Sequence, residues 1–275
     1  MPSPKDIANI EDEGYKATQE YLASCTVCTT GTCETFEHGT GVAVSFRGKR
    51  YILTAGHNTE DEPDDNKILM IGRTNAPLVD VPKDKLSEAV FKGSYGKSVF
   101  TPACAVKIIK RIVPKSDDLD FVALEVADSE KSLPTTIFHD ISSLPNTEIV
   151  EGRYVNICGF PGEIAQQVKH RFTGQRAAAG FLHYEQREIL PITKLPKHIS
   201  SDGYFVVEYS IDAKTCLPKG MSGCGAWSIP KFGKEAVWSA AQSQLLGIQS
   251  AYLPKSKLLK FVRLDKIVEL LESRA

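Results

Sequence analysis

The chain reads as a mainly β protein bracketed by two amphipathic helices, and three observations point there. From Cys25 onward, short apolar runs are separated by Gly, Pro, Asn and Asp, the pattern of strands joined by turns. No helical periodicity alternates with those runs, which favours a barrel or a sandwich over a doubly wound sheet. Apolar residues at three- and four-residue spacing are confined to the two ends of the chain.

At the N-terminal end, residues 4–22 set Ile7, Ile10, Tyr15, Ala17, Tyr21 and Leu22 among charges, which predicts a helix packed on the body. The predicted strands are 41–46, 50–55, 67–72, 106–113, 120–126, 154–159, 204–211, 225–229 and 244–251. Residues 261–271 (FVRLDKIVELL) repeat apolar positions with helical period, so the chain is expected to close with a second helix. The stretch 128–146, which carries Pro134 and Pro145, is the expected connection between two halves. This divides the chain into an N-terminal helical segment (1–24), a first β unit (25–135), a second β unit (136–258) and a C-terminal helix (259–275).

Composition narrows the function classes. With 275 residues and 42% hydrophobic content, a sizeable core can form and a disordered or fibrous chain is excluded. Lys and Arg total 33 against 34 for Asp and Glu, a net of −1, so no global field draws the protein to nucleic acid or to an anionic membrane. No 18 apolar residues run together and the first residues lack a signal-peptide pattern. Seven cysteines are an odd number, and without a secretion signal they are expected to be reduced. The expected location is the cytoplasm.

Three short motifs carry chemistry. Tyr51-Ile52-Leu53-Thr54-Ala55-Gly56-His57 is an apolar strand ending in small residues and a histidine. A rigid strand end fixes an imidazole, and its near-neutral pKa suits it to take and return a proton; by itself the motif also fits a surface or capping histidine. Asp120 stands directly before the apolar run Phe121-Val122-Ala123-Leu124, where a carboxylate can orient an imidazole, though acids before strands are also ordinary turns. Lys219-Gly220-Met221-Ser222-Gly223-Cys224-Gly225 brackets a serine with glycines, which lets backbone N–H groups converge on a developing oxyanion, and which occurs in plain turns as well. The combination is far more informative than its parts, because His, Asp and Ser follow in that order at separations of 63 and 102 residues.

In order and setting these motifs resemble the trypsin-like serine peptidases, and in particular their bacterial and intracellular branch. TAGH resembles the family's TAAH, DFVALEV its DIALLKV, and GMSGCG its GDSGG. Gly39-Thr40-Gly41-Val42, the segment 157–162 and the segment 246–251 support the match, which spans residues 39–251. The resemblance implies two antiparallel six-stranded β-barrels of the chymotrypsin kind with the active site between them. It implies Ser222 as nucleophile, His57 as general base and acid, Asp120 as the orienting carboxylate with Asp118 as the runner-up, and the N–H groups of Gly220 and Ser222 as the oxyanion hole. It implies a protein or peptide substrate and no cofactor, and it leaves open an activating partner. A protease-fold scaffold without turnover is the rival reading.

The sequence departs from that family in places. Met221 stands where the secreted digestive branch has an aspartate that pairs with a freshly cut N-terminus, so activity is expected without clipping. The cysteines that often brace the loop around the histidine in secreted relatives are missing. Cys224 replaces a glycine but lies two residues from the serine's place, which argues against a thiol nucleophile. By the resemblance, the primary specificity pocket has its base near Cys216 and walls near Gln249, Ser250 and Ala251; no acid stands from Cys216 to Met221, which favours a small or apolar substrate side chain.

Other clusters have blander readings. Cys25, Cys28, Cys33 and His38 have a spacing that a tetrahedral zinc site accepts, but a strand entering the first barrel, with cysteines as small buried residues, is the preferred reading. His139, His170, His183 and His198 read as surface histidines, residues 169–176 (KHRFTGQR) as a solvated loop, and Trp227 and Trp238 as core or rim.

Overall fold

The computed structural model describes residues 4–30, 38–59, 68–73, 98–102, 104–114, 119–127, 136–143, 148–161, 180–184, 186–199, 202–211, 217–229 and 240–274. Helix α1 (Pro4–Cys25) leads into β1 (Thr26–Thr30), β2 (His38–Phe46), β3 (Lys49–Thr54), β4 (Ile68–Arg73), β5 (Ser98–Pro102), β6 (Cys104–Ile112), β7 (Val122–Val126) and β8 (His139–Asp140). The second half holds β9 (Tyr154–Gly159), β10 (Gly180–Tyr184), β11 (Gln186–Thr193), β12 (Tyr204–Glu208), β13 (Gly225–Ser228), β14 (Leu245–Leu253) and β15 (Leu258–Arg263), then helix α2 (Leu264–Arg274).

The architecture is mainly β with a helix at each end. In the first half, seven strands run in the order β1-β4-β6-β7-β3-β2-β8, and β1 also pairs with β2, so the pairing returns from the edge strand to the sheet. In the second half, β11-β12-β15-β14-β13-β9 form a closed barrel. The six-stranded barrel expected of the second half is therefore present. The first sheet counts seven strands because the short β8 adds on parallel to β2. Residues 137–141, inside the stretch 128–146 read from the sequence as the connection, thus lie along the first sheet; Ile137 N–H donates to Ser24 O and Ile141 N–H to Ser45 O.

Side chains alternate between two burial environments. In β2 and β3, Val42, Val44, Phe46, Tyr51 and Leu53 point to one core, and Ala43 and Ile52 to another with Val122, Leu124 and Val126. The period of two puts one face inside the first sheet and the other against the rest of the protein. The second barrel encloses its own core of Val155, Ile157, Phe205, Val207, Met221, Leu246, Leu259 and Phe261. Between the halves a shared core joins Leu22 of α1, Leu53 and Phe121 of the first half, Trp227 and Ile248 of the second, and Ile267 and Leu271 of α2. Full burial of each such side chain is worth roughly 1.5–3 kcal/mol, so this seam holds the two halves in one arrangement.

The C-terminal helix begins at Leu264, three residues later than periodicity placed it, because residues 258–263 pair with both β12 and β14. Residues 259–263 therefore belong to the barrel and not to a terminal helical segment. In α2 the buried residues are Leu264, Ile267, Val268 and Leu271, a single stripe at three- and four-residue spacing. Among the described residues no helix is long and apolar enough to cross a membrane. His139 corrects the surface reading: its ring packs edge-on to Trp227 at 4.9 Å, Nδ1 meets the Tyr21 hydroxyl at 2.8 Å, and burial lowers its pKa while Asp140 opposes the shift. His198 is exposed, as expected. His170, residues 169–176 and Trp238 lie outside the described residues, as does the side chain of His183.

Candidate active site

Strand register brings His57 and Asp120 together. Thr54, the last residue of β3, pairs with Val122, the first of β7, in antiparallel fashion. The chain leaving β3 and the chain entering β7 therefore meet at one edge of the sheet. His57 sits there in a 3₁₀ turn, Gly56–Thr59, and Asp120 lies two residues before β7. His57 Nδ1 is 2.7 Å from Asp120 Oδ2, and the His57 backbone N–H donates to Asp120 Oδ1 at 3.0 Å. A Cβ on Gly56 would stand 2.7 Å from that same Oδ1, so glycine is what lets the carboxylate approach.

Burial raises the Asp120 pKa, but the hydrogen bonds from the His57 ring and backbone, the charge of the imidazole and the Gly56 amide together hold it below the ordinary carboxylate value. An ionised Asp120 accepts from Nδ1 and leaves Nε2 as the imidazole's proton acceptor. The runner-up acid, Asp118, lies outside the described residues.

Ser222 comes from the second half, on the turn that enters β13. Gly220 and Gly223 hold φ values of 90° and 93°, a region that L side chains disfavour. Met221 N–H is bound to Pro218 O at 3.0 Å, and Gly223 N–H to Gln249 O at 2.8 Å. The N–H groups of Gly220 and Ser222 have no acceptor among the described residues. The turn thus spends its alternate amides on structure and keeps the other two uncommitted. The Ser222 hydroxyl makes no hydrogen bond among the described residues.

The turn is fastened to the first sheet by side chains the sequence did not single out. Thr40 donates its N–H to Ser222 O at 2.8 Å and its hydroxyl to Gly220 O at 2.9 Å. The same hydroxyl oxygen accepts from Phe160 N–H at 3.0 Å. Thr54 Oγ1 donates to Thr40 O at 2.7 Å, and Asn58 Nδ2 donates to Ser222 O at 2.8 Å. These contacts bridge up to 180 positions of sequence, and only the quoted Gly39-Thr40-Gly41-Val42 segment hinted at them.

Met221 and Cys224 are buried in the second core. An apolar side chain therefore occupies the place where an aspartate would need a cationic partner. Burial pushes the Cys224 thiol far up, which disfavours the thiolate that a nucleophile needs, and its Sγ lies 3.7 Å from Gln249 Oε1. Gln249 and Ser250 are buried on β14 and Ala251 is half-buried; Cys216 lies outside the described residues. Of the zinc alternative, Cys25 ends α1, fully buried, with its pKa pushed up to about 12 by burial against an opposing hydrogen bond with Tyr21. Cys28 lies in β1, opposite Thr40, and His38 pairs with Thr30. Cys33 lies outside the described residues. Among the described residues no group of three metal-binding side chains gathers.

A solved structure similar to the chain is the crystal structure of the serine endoprotease from Yersinia pestis, aligned over 94% of this chain at 13% identity with a TM-score of 0.54. The chain shares the fold of that structure. It spans 65% of that protein's length. A Glu endopeptidase in complex with MPD aligns over 92% of this chain and 90% of its own at 15% identity, with a TM-score of 0.49. No protein-family profile matches the chain, and no curated protein does.

Proposed function

We propose that the protein is a serine endopeptidase in which His57, Asp120 and Ser222 act as a catalytic triad. The observation that carries the reading is the 2.7 Å contact between His57 Nδ1 and Asp120 Oδ2, on a turn whose next residue, Asn58, donates to the carbonyl of the glycine-flanked Ser222 at 2.8 Å. In the proposed reaction Ser222 Oγ attacks the substrate carbonyl carbon while His57 Nε2 takes its proton. Asp120 keeps the imidazole in the required tautomer and stabilises the imidazolium. The N–H groups of Gly220 and Ser222 receive the oxyanion. His57 then protonates the leaving amine, the acyl-enzyme forms, and water activated by His57 releases the acid and restores Ser222.

No cofactor enters this scheme. The substrate is a protein or peptide, and the absence of an acid from Cys216 to Met221 favours a small or apolar side chain at the cleavage point. Buried Met221 speaks against activation through a new N-terminus. The proposed setting is a reducing compartment, the cytoplasm.

A second reading is supported by the Ser222 hydroxyl, which has no hydrogen bond among the described residues. In it the protein is an effector protease whose serine is drawn to His57 only when a specific partner or substrate binds, since catalytic hydrogen bonds often tighten only in the substrate complex. Labelling with a serine-reactive fluorophosphonate, with and without candidate peptides, separates the two. A general peptidase labels unaided, and a partner-dependent one labels only in the partner's presence.

A further inference from the structure

The turn after His57 carries a side chain that the triad does not use. Asn58 Nδ2 donates to the Ser222 carbonyl at 2.8 Å and to Thr54 Oγ1 at 2.9 Å. Both partners are acceptors here. A carbonyl can only accept, and Thr54 spends its single hydroxyl hydrogen on Thr40 O at 2.7 Å. The amide must therefore turn its NH₂ group, and not its oxygen, toward them. The Ser222 carbonyl takes its second hydrogen bond from Thr40 N–H at 2.8 Å, so both of its acceptor positions are filled from the first sheet.

Gly39 provides an independent observation. A Cβ there would run into Asn58 Nδ2 and stand 2.6 Å from Asn58 Cγ and 2.7 Å from Thr29 Oγ1. The backbone of β2 is bare at the one place where the Asn58 amide must pass to reach Ser222.

We infer that Asn58 is a positioning residue that ties the backbone of Ser222 to the turn carrying His57, with Gly39 as the gap that admits it. Asn58 is one peptide bond from the general base, and the carbonyl it holds belongs to the nucleophile itself. The two reacting groups come from opposite halves, and this is a direct side-chain link between their turns. It takes the place of a covalent brace in a loop whose neighbouring positions hold no cysteine, and it needs no oxidant. The inference rests on the proposal that Ser222 is the nucleophile.

The test is fluorophosphonate labelling of the full chain resolved into a maximal rate and a half-saturating concentration, together with thermal unfolding. Asn58→Ala removes the amide; Asn58→Asp keeps its shape but sets a carboxylate oxygen against two acceptors. Both are expected to lower the maximal rate about 10- to 100-fold, leaving the half-saturating concentration unchanged and the protein folded at the assay temperature. Gly39→Ala is expected to reproduce the defect, and Gly39→Ala with Asn58→Ala is expected to be no slower than the slower single variant, because both break one link. A wild type that labels beside Asn58 variants that label equally fast, or that lose only affinity, overturns the brace alone. Additive losses in the double variant overturn the role of Gly39. A folded wild type that never labels, with or without peptide, overturns the serine-hydrolase reading and with it any positioning role.

Discussion

Replacing Gly223 by alanine sets two costs on one position, and a second glycine separates them. Gly223 has φ of 93°, which costs an L residue about 1–2 kcal/mol. Its Cβ would also run into the Thr40 carbonyl oxygen and lie 2.5 Å from Thr54 Oγ1 and 2.9 Å from the Thr40 carbonyl carbon. Those atoms are backbone and a hydroxyl already bonded to it, so they yield only if β2 and the serine turn part, an overpacking cost of about 1–3 kcal/mol. Together the terms give about 2–5 kcal/mol, a fall in Tm of roughly 4–20 °C for a chain of this size. Gly48 has a similar φ of 80° with nothing within 4 Å of its Cβ, so Gly48→Ala carries the backbone cost alone, about 1–2 kcal/mol. Thermal unfolding of both variants, followed by fluorophosphonate labelling, is the assay. Gly223→Ala is expected to melt lower than Gly48→Ala and to lose labelling, while Gly48→Ala labels like wild type. Equal melting temperatures with labelling retained in both would refute the reasoning that the serine turn is wedged against Thr40.

Asp120→Asn is expected to leave the fold intact and cut the rate of peptide hydrolysis by about 10⁴, because an amide N–H facing Nδ1 imposes the wrong tautomer; Tm and kcat/KM measured on one preparation check it. The depressed pKa of Asp120 makes its ionised form a source of stability that is fully present above the ordinary carboxylate pKa and is lost as pH falls through the lower folded value. Urea midpoints of wild type minus those of Asp120→Asn are therefore expected to shrink in acid, as pH falls below the ordinary carboxylate value of 3.8. Cys25, Cys158 and Cys224 are all buried, so alkylation followed by mass spectrometry is expected to modify none of them in the native protein and all of them in urea. Rapid native modification of Cys25 would contradict its burial at the end of α1.

Much of this fold was legible because local pattern and tertiary need agreed. Residues 154–159 are a short, mostly apolar run ending at a glycine, and they form β9 at those bounds. The reading failed where pairing partners overruled period. The run Leu258–Arg263 fits a helical stripe continuous with α2, yet it is held as a strand between β12 and β14 because the second barrel cannot close without it. Strand β11 escaped notice for a different reason: Pro191 interrupts it, and Arg187, Glu188 and Leu190 are only half-buried there, so apolar alternation is weak. His139 stands next to Asp140 ahead of Ser142 and Ser143 and reads as a surface histidine, but Tyr21 of α1 brings its hydroxyl to the ring. At the site, residue type and order were enough to single out His57 and Asp120, whose contact follows from the register of β3 and β7. Thr40 and Asn58 were not legible as parts of it, because their partners lie 180 and 164 residues away and nothing local marks a side chain for so distant a carbonyl.

The most direct test of the central claim is fluorophosphonate labelling of the purified full chain beside its His57→Ala, Asp120→Asn and Ser222→Ala variants, with the modified residue located by mass spectrometry. The account predicts a single adduct on Ser222 Oγ in the wild type, none in Ser222→Ala, and severe slowing in the other two. An adduct on another residue, or labelling of His57→Ala at the wild-type rate, would contradict it.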